Sequence, residues 1–282
     1  MSNGNFWSPN VWTQFNGSPT DKTKPGLLKT TMGPIQVAQQ VFDTIVTGND
    51  NSIPADTIDA EGTPTTGETR RFATLRKPFS LYPLHVNDAA LTVASNQVTR
   101  AAQALALLEE SLFYQGTEAK IDKEIVPVAE QKKLGEGLLG IAKKEIEVKY
   151  KIGPRYGVKT YEAVVDGIAE FTKHQQGPPY AVILSPETFA DANYPLQNEA
   201  MVTPASAIQA LLASGPFVTS PGMPSKTGLL ASLGGKATTL YIGTCPLVEF
   251  NTFDKSVYWF SARESIQFLN TDDRSLIKLK FE

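Results

Sequence analysis

A long uninterrupted amphipathic stretch, from Asp88 to Gly116, constrains the fold more than any other part of the sequence. Its apolar residues recur every three or four positions, which places them on one face of an α-helix. These residues are Leu91, Ala94, Val98, Ala101, Leu105, Leu108 and Leu112. Gly116 stands where a C-cap residue would end the helix, and Asp88, Ser95 or Asn96 could cap its start. At about 1.5 Å per residue the helix is roughly 30–40 Å long. We therefore expect other elements to pack along it, and we call it the spine helix.

The composition is that of a globular protein with nearly balanced charge. The 282 residues are enough for one large domain or two smaller ones, and 41% of them are hydrophobic. A formal net charge of −3 gives no electrostatic reason for direct nucleic-acid binding. The single cysteine, Cys245, excludes an internal disulfide framework, suits a reducing compartment, and is expected to be buried. We see neither a signal-peptide pattern nor an apolar run of membrane-spanning length, so we expect a cytoplasmic protein without a membrane partner.

Residues 1–33 form an N-terminal arm that is polar in composition but carries aromatic side chains. It is rich in Asn, Gly, Ser, Thr and Pro, yet contains Phe6, Trp7, Trp12 and Phe15. A disordered tail would be poorer in aromatic residues. Two interpretations stay open: the arm folds onto its own domain, or it lies over a neighbouring subunit with its aromatic side chains in that neighbour's pockets.

Residues 34–46 predict a short amphipathic helix. Pro34 would occupy its first turn, and Gly48 lies just beyond its end. One stripe of this helix is apolar and is expected to belong to the core. The stripe consists of Ile35, Ala38, Phe42 and Ile45.

Residues 65–86 predict a long hairpin with one apolar side. Basic residues are interleaved there with apolar ones, namely Arg70, Arg71, Arg76 and Lys77 with Phe72, Leu75, Phe79 and Leu81. Basic and aromatic residues together are one sign of nucleic-acid binding. We favour the alternative, an extended arm whose apolar side is covered by another subunit.

The remainder of the chain mixes helices and strands without regular βαβ alternation, which indicates the α+β class. Helices are predicted at 161–173, 187–193 and 205–214. A half-exposed strand is predicted within 137–152, and a buried strand at the start of the run YAVILSP. Further strands are predicted at 239–250, 257–262, 264–269 and 275–281.

No catalytic, metal or cofactor motif is present. His85 and His174 are far apart, and the sequence around Gly234-Gly235-Lys236 lacks both ends of a phosphate-loop signature. Glu109 and Glu110 are neighbours on a helix, so they point in different directions and form no acid–base dyad. We therefore expect no cofactor and no enzymatic activity; an enzyme with an unrecognised site is the least favoured alternative.

Three segments carry a resemblance to one protein family. They are LLEESLFYQG at the end of the spine helix, GPPYAVILSPETF with Tyr194-Pro195-Leu196 after it, and the closing run RESIQFLNTDDRSLIKLKF. In this order they resemble the encapsulin (linocin-like) nanocompartment shell proteins, which share the HK97-like capsid fold of tailed phages. The resemblance covers about residues 116–281 and touches the first third only loosely.

The resemblance implies a division of the chain into four parts. A peripheral domain would contain the spine helix and β-strands, an axial domain would approach a symmetry axis, and an extended loop and the N-terminal arm would reach outward. The corresponding residues are 1–33 for the arm, 34–60, 88–137 and 251–282 for the peripheral domain, 61–87 for the extended loop, and 138–250 for the axial domain.

The resemblance also implies three kinds of site. Cargo would dock on the inner face near Ile35, Ala38, Val41, Phe42 and Ile45. A five-fold pore loop would include Asn193, Tyr194, Gln197, Asn198 and Glu199, a mostly uncharged set that predicts weak charge preference. Subunit contacts of the arm and extended loop would include Trp7, Trp12, Arg70, Phe72, Leu75 and Phe79.

The function implied is that of a shell protomer of an encapsulin nanocompartment. Copies would self-assemble into an icosahedral cage enclosing a cargo protein, ferritin-like or peroxidase in type, that carries a terminal docking peptide. The alternative is the major capsid protein of a tailed phage or virus-like particle, in which case the location would be a virion and nucleic acid would be a partner. The longer N-terminal arm and residues 117–137, which resemble an insertion, depart from the common encapsulin pattern.

Overall fold

The computed structural model describes residues 6–282, apart from 19, 22, 50–51, 55–56, 59–63, 66–68, 122–124, 150–154 and 196–202. Its helices are α1 (Pro9–Asn16), α2 (Leu27–Met32), α3 (Val37–Val41), α4 (Pro83–Val86), α5 (Thr92–Gln115), α6 (Val128–Leu134), α7 (Leu138–Ile141), α8 (Gly157–Lys173), α9 (Pro186–Ala192) and α10 (Pro204–Leu211).

The strands form two five-stranded sheets and two short pairs. They are β1 (Asp43–Val46), β2 (Ser52–Ile53), β3 (Thr57–Ile58), β4 (Pro64–Thr65), β5 (Arg70–Arg71), β6 (Ala73–Leu81), β7 (Lys144–Val148), β8 (Tyr180–Leu184), β9 (Phe217–Thr219), β10 (Thr227–Ser232), β11 (Thr238–Ile242), β12 (Leu247–Asp254), β13 (Val257–Asn270) and β14 (Leu276–Phe281). The mixture of helices and sheets confirms the α+β class.

The spine helix is α5, and the prediction of a long helix in this region is confirmed. Its 24 residues correspond to about 36 Å. Asp88 fixes the turn before the helix, because its carboxylate accepts the backbone N–H groups of Ala90 and Thr92 at 3.1 Å each. Gly116 ends the helix at φ 55°, and a Cβ there would lie 2.1 Å from the backbone nitrogen of Gly137. Glycine is therefore required where the chain turns away from the spine.

The first sheet has the order β1-β11-β13-β12, with β6 paired along the other side of β13. The 14-residue strand β13 is central, so the two strands predicted at 257–262 and 264–269 are one continuous strand. Conversely, the single strand predicted at 239–250 is two strands, β11 and β12, because the chain turns between Gly243 and Pro246. Cys245 lies in that turn and is exposed, so the prediction that it is buried was wrong.

The second sheet has the order β7-β14-β10-β8-β9. Strand β8 is buried along its whole length, as its run of apolar residues predicts. Helix α8 packs against this sheet and against α10, and the helices predicted near 161, 187 and 205 are all present with shifted ends. Local apolar periodicity therefore predicts this half of the chain well.

The helix predicted for residues 34–46 is wrong in its second half. Only Val37–Val41 is helical, and Phe42 already has extended backbone angles of φ −103° and ψ 157°. Residues 43–46 form β1, which pairs in parallel with β11, for example Thr44 with Leu240. The β-branched run Thr-Ile-Val suits a strand, and pairing with β11 overrides the helical spacing. Ile45 is consequently on a strand and 47% exposed, not on a buried helical stripe.

The long hairpin predicted for residues 65–86 is also wrong. Residues 73–81 form β6, which pairs antiparallel with β13, and the hairpin pairs lie upstream as β2 with β5 and β3 with β4. Phe72, Leu75 and Phe79 are buried within the protomer, so their apolar side is covered by the chain's own core instead of by another subunit. The edge of β6 that faces away from β13 offers few backbone N–H groups to another strand. Glu130 Oε2 accepts the N–H of Thr74 at 2.7 Å, and Pro78 has no N–H.

The N-terminal arm lies on its own protomer, so the expectation that Trp7 and Trp12 occupy a neighbour's pockets was wrong. Trp7 is buried, and its indole donates to the Val86 carbonyl at 3.1 Å. Trp12 is half-buried beside Trp7, with ring centroids 5.1 Å apart. The side chain of Asn16 exchanges hydrogen bonds with the backbone of Val248 on β12, which fastens the arm to the first sheet.

Candidate functional site

Segment 35–46 contains all five residues of the expected cargo-docking surface, but the structure does not arrange them as one stripe. Ala38 and Phe42 are buried in the protomer core. Ile35 and Val41 are half-buried, and Ile45 is exposed on β1. Only these last three are available to a partner while segment 35–46 keeps this position.

A small cavity and an open strand edge adjoin segment 35–46. The cavity of about 30 Å³ is lined by Val41, Phe42, Asp43, Ser232, Leu233, Lys236, Ala237 and Thr238. Lys236 and Asp43 form an ion pair of 3.0 Å at its rim. Strand β1 pairs with β11 on one side, and no strand among the described residues pairs with its other side.

Three buried carboxyl groups lie where α3, the spine helix and β13 meet; we call Glu109, Glu110 and Glu264 the carboxyl cluster. All three side chains are fully buried. Glu109 accepts hydrogen bonds from the side-chain amides of Gln36 and Gln39, the latter at 2.8 Å. Glu109 therefore connects the start of segment 35–46 to the spine helix.

Glu110 bonds to different partners from Glu109. Its Oε1 accepts the backbone N–H of Ala38 at 2.7 Å, and its Oε2 accepts the Ser220 hydroxyl at 2.5 Å. The pKa of Glu110 is raised to about 8, mainly by burial and also by the charge of Glu109, and the hydrogen bonds that it accepts only partly oppose this rise. The carboxyl group is thus mostly protonated at neutral pH, and in that form its O–H can donate to the Ser220 hydroxyl oxygen 2.5 Å away.

Burial raises the pKa of both Glu109 and Glu264, and the two carboxyl groups influence each other. Burial raises the pKa of Glu264 well above its usual range, and the adjacent Glu109 raises it further. No N–H or other O–H among the described groups reaches the Glu264 oxygens, whereas Glu109 accepts two amide donors. Between these two carboxyl groups, the ionised form is therefore favoured at Glu109 and the protonated form at Glu264.

One sign of this cluster is visible in the sequence. The expectation that Glu109 and Glu110 do not form a dyad with each other agrees with their separate partners. The pair nevertheless stands between Leu108 and Leu112, so that two carboxyl groups interrupt a buried helix face. Such groups are costly to bury without partners. Glu264 could not be linked to them, because β13 and the spine helix meet only in the fold.

The expected pore loop is described only at its beginning. Asn193 closes α9 by donating its side-chain amide to the Phe189 carbonyl at 2.9 Å, and Tyr194 is exposed. Gln197, Asn198 and Glu199 lie outside the described residues. Arg155, which sequence reasoning missed, lies 3.4 Å above the centroid of the Tyr194 ring and 3.8 Å from Asp191.

Neither a metal centre nor a membrane span stands out in the described part of the chain. No three His, Cys, Asp or Glu side chains lie there in an arrangement that could hold a metal ion. His174 instead pairs with Glu170 at 3.4 Å. No described helix combines the length and apolar character needed to cross a bilayer.

Comparison with known protein families gives a match over most of the chain. The model of the family Linocin_M18, described as encapsulating protein for peroxidase, matches residues 40–267. The matched range runs from α3 through the spine helix and the carboxyl cluster into β13. No curated protein sequence matches the chain.

Solved structures share the fold over nearly their whole length. The chain is similar to the virus-like particle from Pyrococcus furiosus, with a TM-score of 0.66 and 12% identity over 90% of this chain and 96% of that chain. The holo-SrpI encapsulin complex from Synechococcus elongatus is similar with a TM-score of 0.55 and 13% identity, over 97% of this chain and 95% of that chain. The capsid of Myoviridae phage XM1 is similar with a TM-score of 0.58 and 13% identity, over 88% of this chain and 92% of that chain. These likenesses confirm an HK97-like capsid fold.

Proposed function

This chain belongs to the encapsulin family, described as encapsulating protein for peroxidase, and from that membership we propose how it builds and fills a shell. It is a shell protomer, whose copies assemble into a nanocompartment that encloses cargo, and its role is structural. The single observation that carries this conclusion is the family match over residues 40–267. Phage capsids share the fold, so fold alone would leave the major capsid protein of a tailed phage as an alternative.

For subunit contacts we propose surfaces other than the arm and the β6 face, because both of these are covered by their own protomer. Large apolar side chains are exposed where β6 ends and β13 begins, namely Tyr82, Leu84, Phe253 and Trp259. Trp259 lies opposite Ser80 in the β6–β13 register, so this patch follows one end of the first sheet. An exposed apolar patch of this kind is typical of an interface. The upstream hairpin that includes Arg70 would supply a second contact.

For cargo we propose docking at segment 35–46, through Ile35, Val41, Ile45 and the open edge of β1. Support comes from their exposure and from the adjoining cavity beside the Asp43–Lys236 ion pair. An extended terminal peptide of the cargo would add to the edge of β1, which offers unpaired backbone groups. We propose a ferritin-like or peroxidase cargo.

For the axial parts of the shell, the family pattern supports a proposal about residues 138–250. These residues would form the axial domain, with Asn193, Tyr194, Gln197, Asn198 and Glu199 around a five-fold pore. Arg155, stacked on Tyr194, would add positive charge near that pore. The peripheral domain would be 34–60, 88–137 and 251–282, and the compartment would lie in the cytoplasm, which suits the exposed thiol of Cys245.

Co-expression with a candidate cargo tests this function. We expect the full-length chain to co-purify with a ferritin-like or peroxidase protein inside closed particles, and to lose it when the cargo's terminal peptide is deleted. Ile45→Asp should also reduce loading while leaving particle formation intact, because Ile45 is exposed. Val158→Asp, at an apolar position on α8 that is as exposed as Ile45, is the matched control for added negative charge. Particles that package nucleic acid and no protein would instead support the phage capsid.

A further inference from the structure

The carboxyl cluster connects segment 35–46 to the body of the protomer. Side-chain amides of Gln36 and Gln39 donate to Glu109, and the backbone N–H of Ala38 donates to Glu110. Three of the four residues from 36 to 39 are therefore bonded to adjacent carboxyl groups of the spine helix. Apart from Glu109 and Glu110, no described side chain outside segment 35–46 accepts a hydrogen bond from α3.

No cation among the described residues pairs with the carboxyl cluster. From the spine helix, Tyr114 faces it, and from the turn after β11 the thiol of Cys245 faces Glu264; both groups are neutral or, when ionised, negative. Segment 35–46 and the loop after β9 contribute only neutral donors, Gln36, Gln39 and Ser220. The nearest cation on β13, Arg263, pairs with Glu249 at 3.5 Å. The negative charge that the cluster can hold is therefore limited by its bound protons.

We propose that the carboxyl cluster is a proton-operated latch, which holds segment 35–46 on the spine helix while it keeps its protons and frees the segment when they are lost. The latch follows from the contacts of Glu109, Glu110 and Glu264. Its consequence for cargo, a docking surface that holds its shape at mildly acidic pH and loosens at alkaline pH, rests on the proposed function.

The coupling to pH has a definite sign. When segment 35–46 lifts away, water reaches Glu110 and its pKa returns from about 8 towards the usual 4.5. The closed state therefore binds the proton more tightly than the open state, and rising pH favours opening. We call the equilibrium ratio of the open to the closed state of segment 35–46 the opening constant. From Glu110 alone, the opening constant rises roughly 50-fold between pH 6 and pH 8 and levels off above pH 8. Release of the Glu264 proton would steepen the dependence.

Hydrogen exchange of the full-length shell tests the latch. Peptides covering residues 36–42 are followed by mass spectrometry at pH 6 and pH 8, with rates normalised to an unstructured reference peptide. We expect the wild-type opening constant to rise at least roughly 50-fold. In Glu110→Gln/Glu264→Gln, whose amides mimic the protonated carboxyl groups, it should change by less than about threefold.

Two further variants keep the test decisive. Glu130→Gln is the matched control, because Glu130 also accepts a backbone N–H but lies outside the carboxyl cluster. In this variant the opening constant of segment 35–46 should depend on pH as it does in the wild type. If the double variant fails to fold, Ser220→Ala removes one donor to Glu110 and should extend the dependence above pH 8. A pH-independent wild-type segment, or a double variant with the wild-type dependence, overturns the latch.

Cargo retention is measured separately at the same two pH values. Opening of segment 35–46 at pH 8 with loss of cargo supports both the latch and the docking proposal. Opening without loss of cargo leaves the latch standing and shows that cargo docks elsewhere.

Discussion

The indole of Trp7 stacks on the ring of Phe260, with centroids 4.9 Å apart and planes inclined by 18°. Phe79 stacks on the same ring at 5.4 Å, so the N-terminal arm, β13 and β6 share one aromatic core. The arm of this encapsulin is thereby part of the protomer's own fold. Substitution of the buried arm residue Trp7 should therefore act on protomer stability, whereas substitution of exposed apolar residues should act on assembly.

Trp7→Ala should destabilise the protomer. Removal of a buried Trp side chain costs about 3–5 kcal/mol, through lost transfer energy and the cavity left behind. Urea unfolding followed by fluorescence measures this change. Trp259→Ala is the matched control: Trp259 is 42% exposed, so its removal should cost clearly less than that of Trp7. Equal losses in the two variants would contradict the placement of the arm.

Trp259→Ser/Leu84→Ser should impair assembly and leave the protomer folded. Leu84 is 78% exposed, so its removal costs the protomer little, whereas the patch loses Trp259, its largest side chain, and Leu84, its most exposed one. Mass photometry should show a shift from closed particles to protomers or small oligomers, with an unchanged circular dichroism spectrum. Val158→Ser, at an exposed apolar site on α8, serves as the control. Wild-type particle yield from the double variant would exclude the patch as an interface.

Gly222→Ala should disrupt the contact between the spine helix and the loop after β9. A Cβ at Gly222 would lie 2.4 Å from the carbonyl carbon of Glu110, so the backbone would have to shift. The substitution should also displace Ser220 from Glu110, since the Gly222 N–H donates to the Ser220 hydroxyl oxygen at 3.1 Å. We expect a loss of more than about 2 kcal/mol in urea unfolding. Gly177→Ala, where a Cβ meets nothing within 4 Å, should be nearly neutral.

Global stability should fall as pH rises from about 5.5 to 8. The pKa of Glu110 is about 8 in the folded state and near its usual 4.5 in the unfolded state, so the folded state keeps a proton that the unfolded state loses. The stabilisation is complete at pH values below the pKa that Glu110 has in the unfolded state. It is lost as the pH rises towards the pKa of the folded state, and the loss is about 1.4 kcal/mol per pH unit for each such proton. Unfolding of Glu110→Gln over the same range should show a smaller slope, and an identical slope would contradict the assignment.

The sequence predicts elements whose residues satisfy a local pattern. The spine helix and β8 are decided by apolar spacing and by Gly116, so they were correctly predicted. Segment 35–46 fits a helical stripe equally well, but β1 gains a parallel partner in β11 that lies far along the chain. Leu75 and Phe79 share one apolar face of β6, as predicted, whereas Phe72 packs with Ile53 and Leu269 in a separate cluster. Nothing local indicates that these side chains are covered by the same chain.

The same limit applies to the sites. Two consecutive carboxyl groups on a buried helix face are visible in the sequence, whereas the partner Glu264 comes from β13. Arg155 likewise meets Tyr194 only because α8 and α9 pack together. Pairing between distant segments, not local propensity, therefore creates both features.

Electron cryo-microscopy of the purified full-length protein, expressed without cargo, tests the central claim most directly. A shell protomer should form uniform, closed, hollow particles whose reconstruction has icosahedral symmetry and places the exposed Leu84–Trp259 patch between subunits. Only protomers or small open oligomers at micromolar concentration would contradict the account.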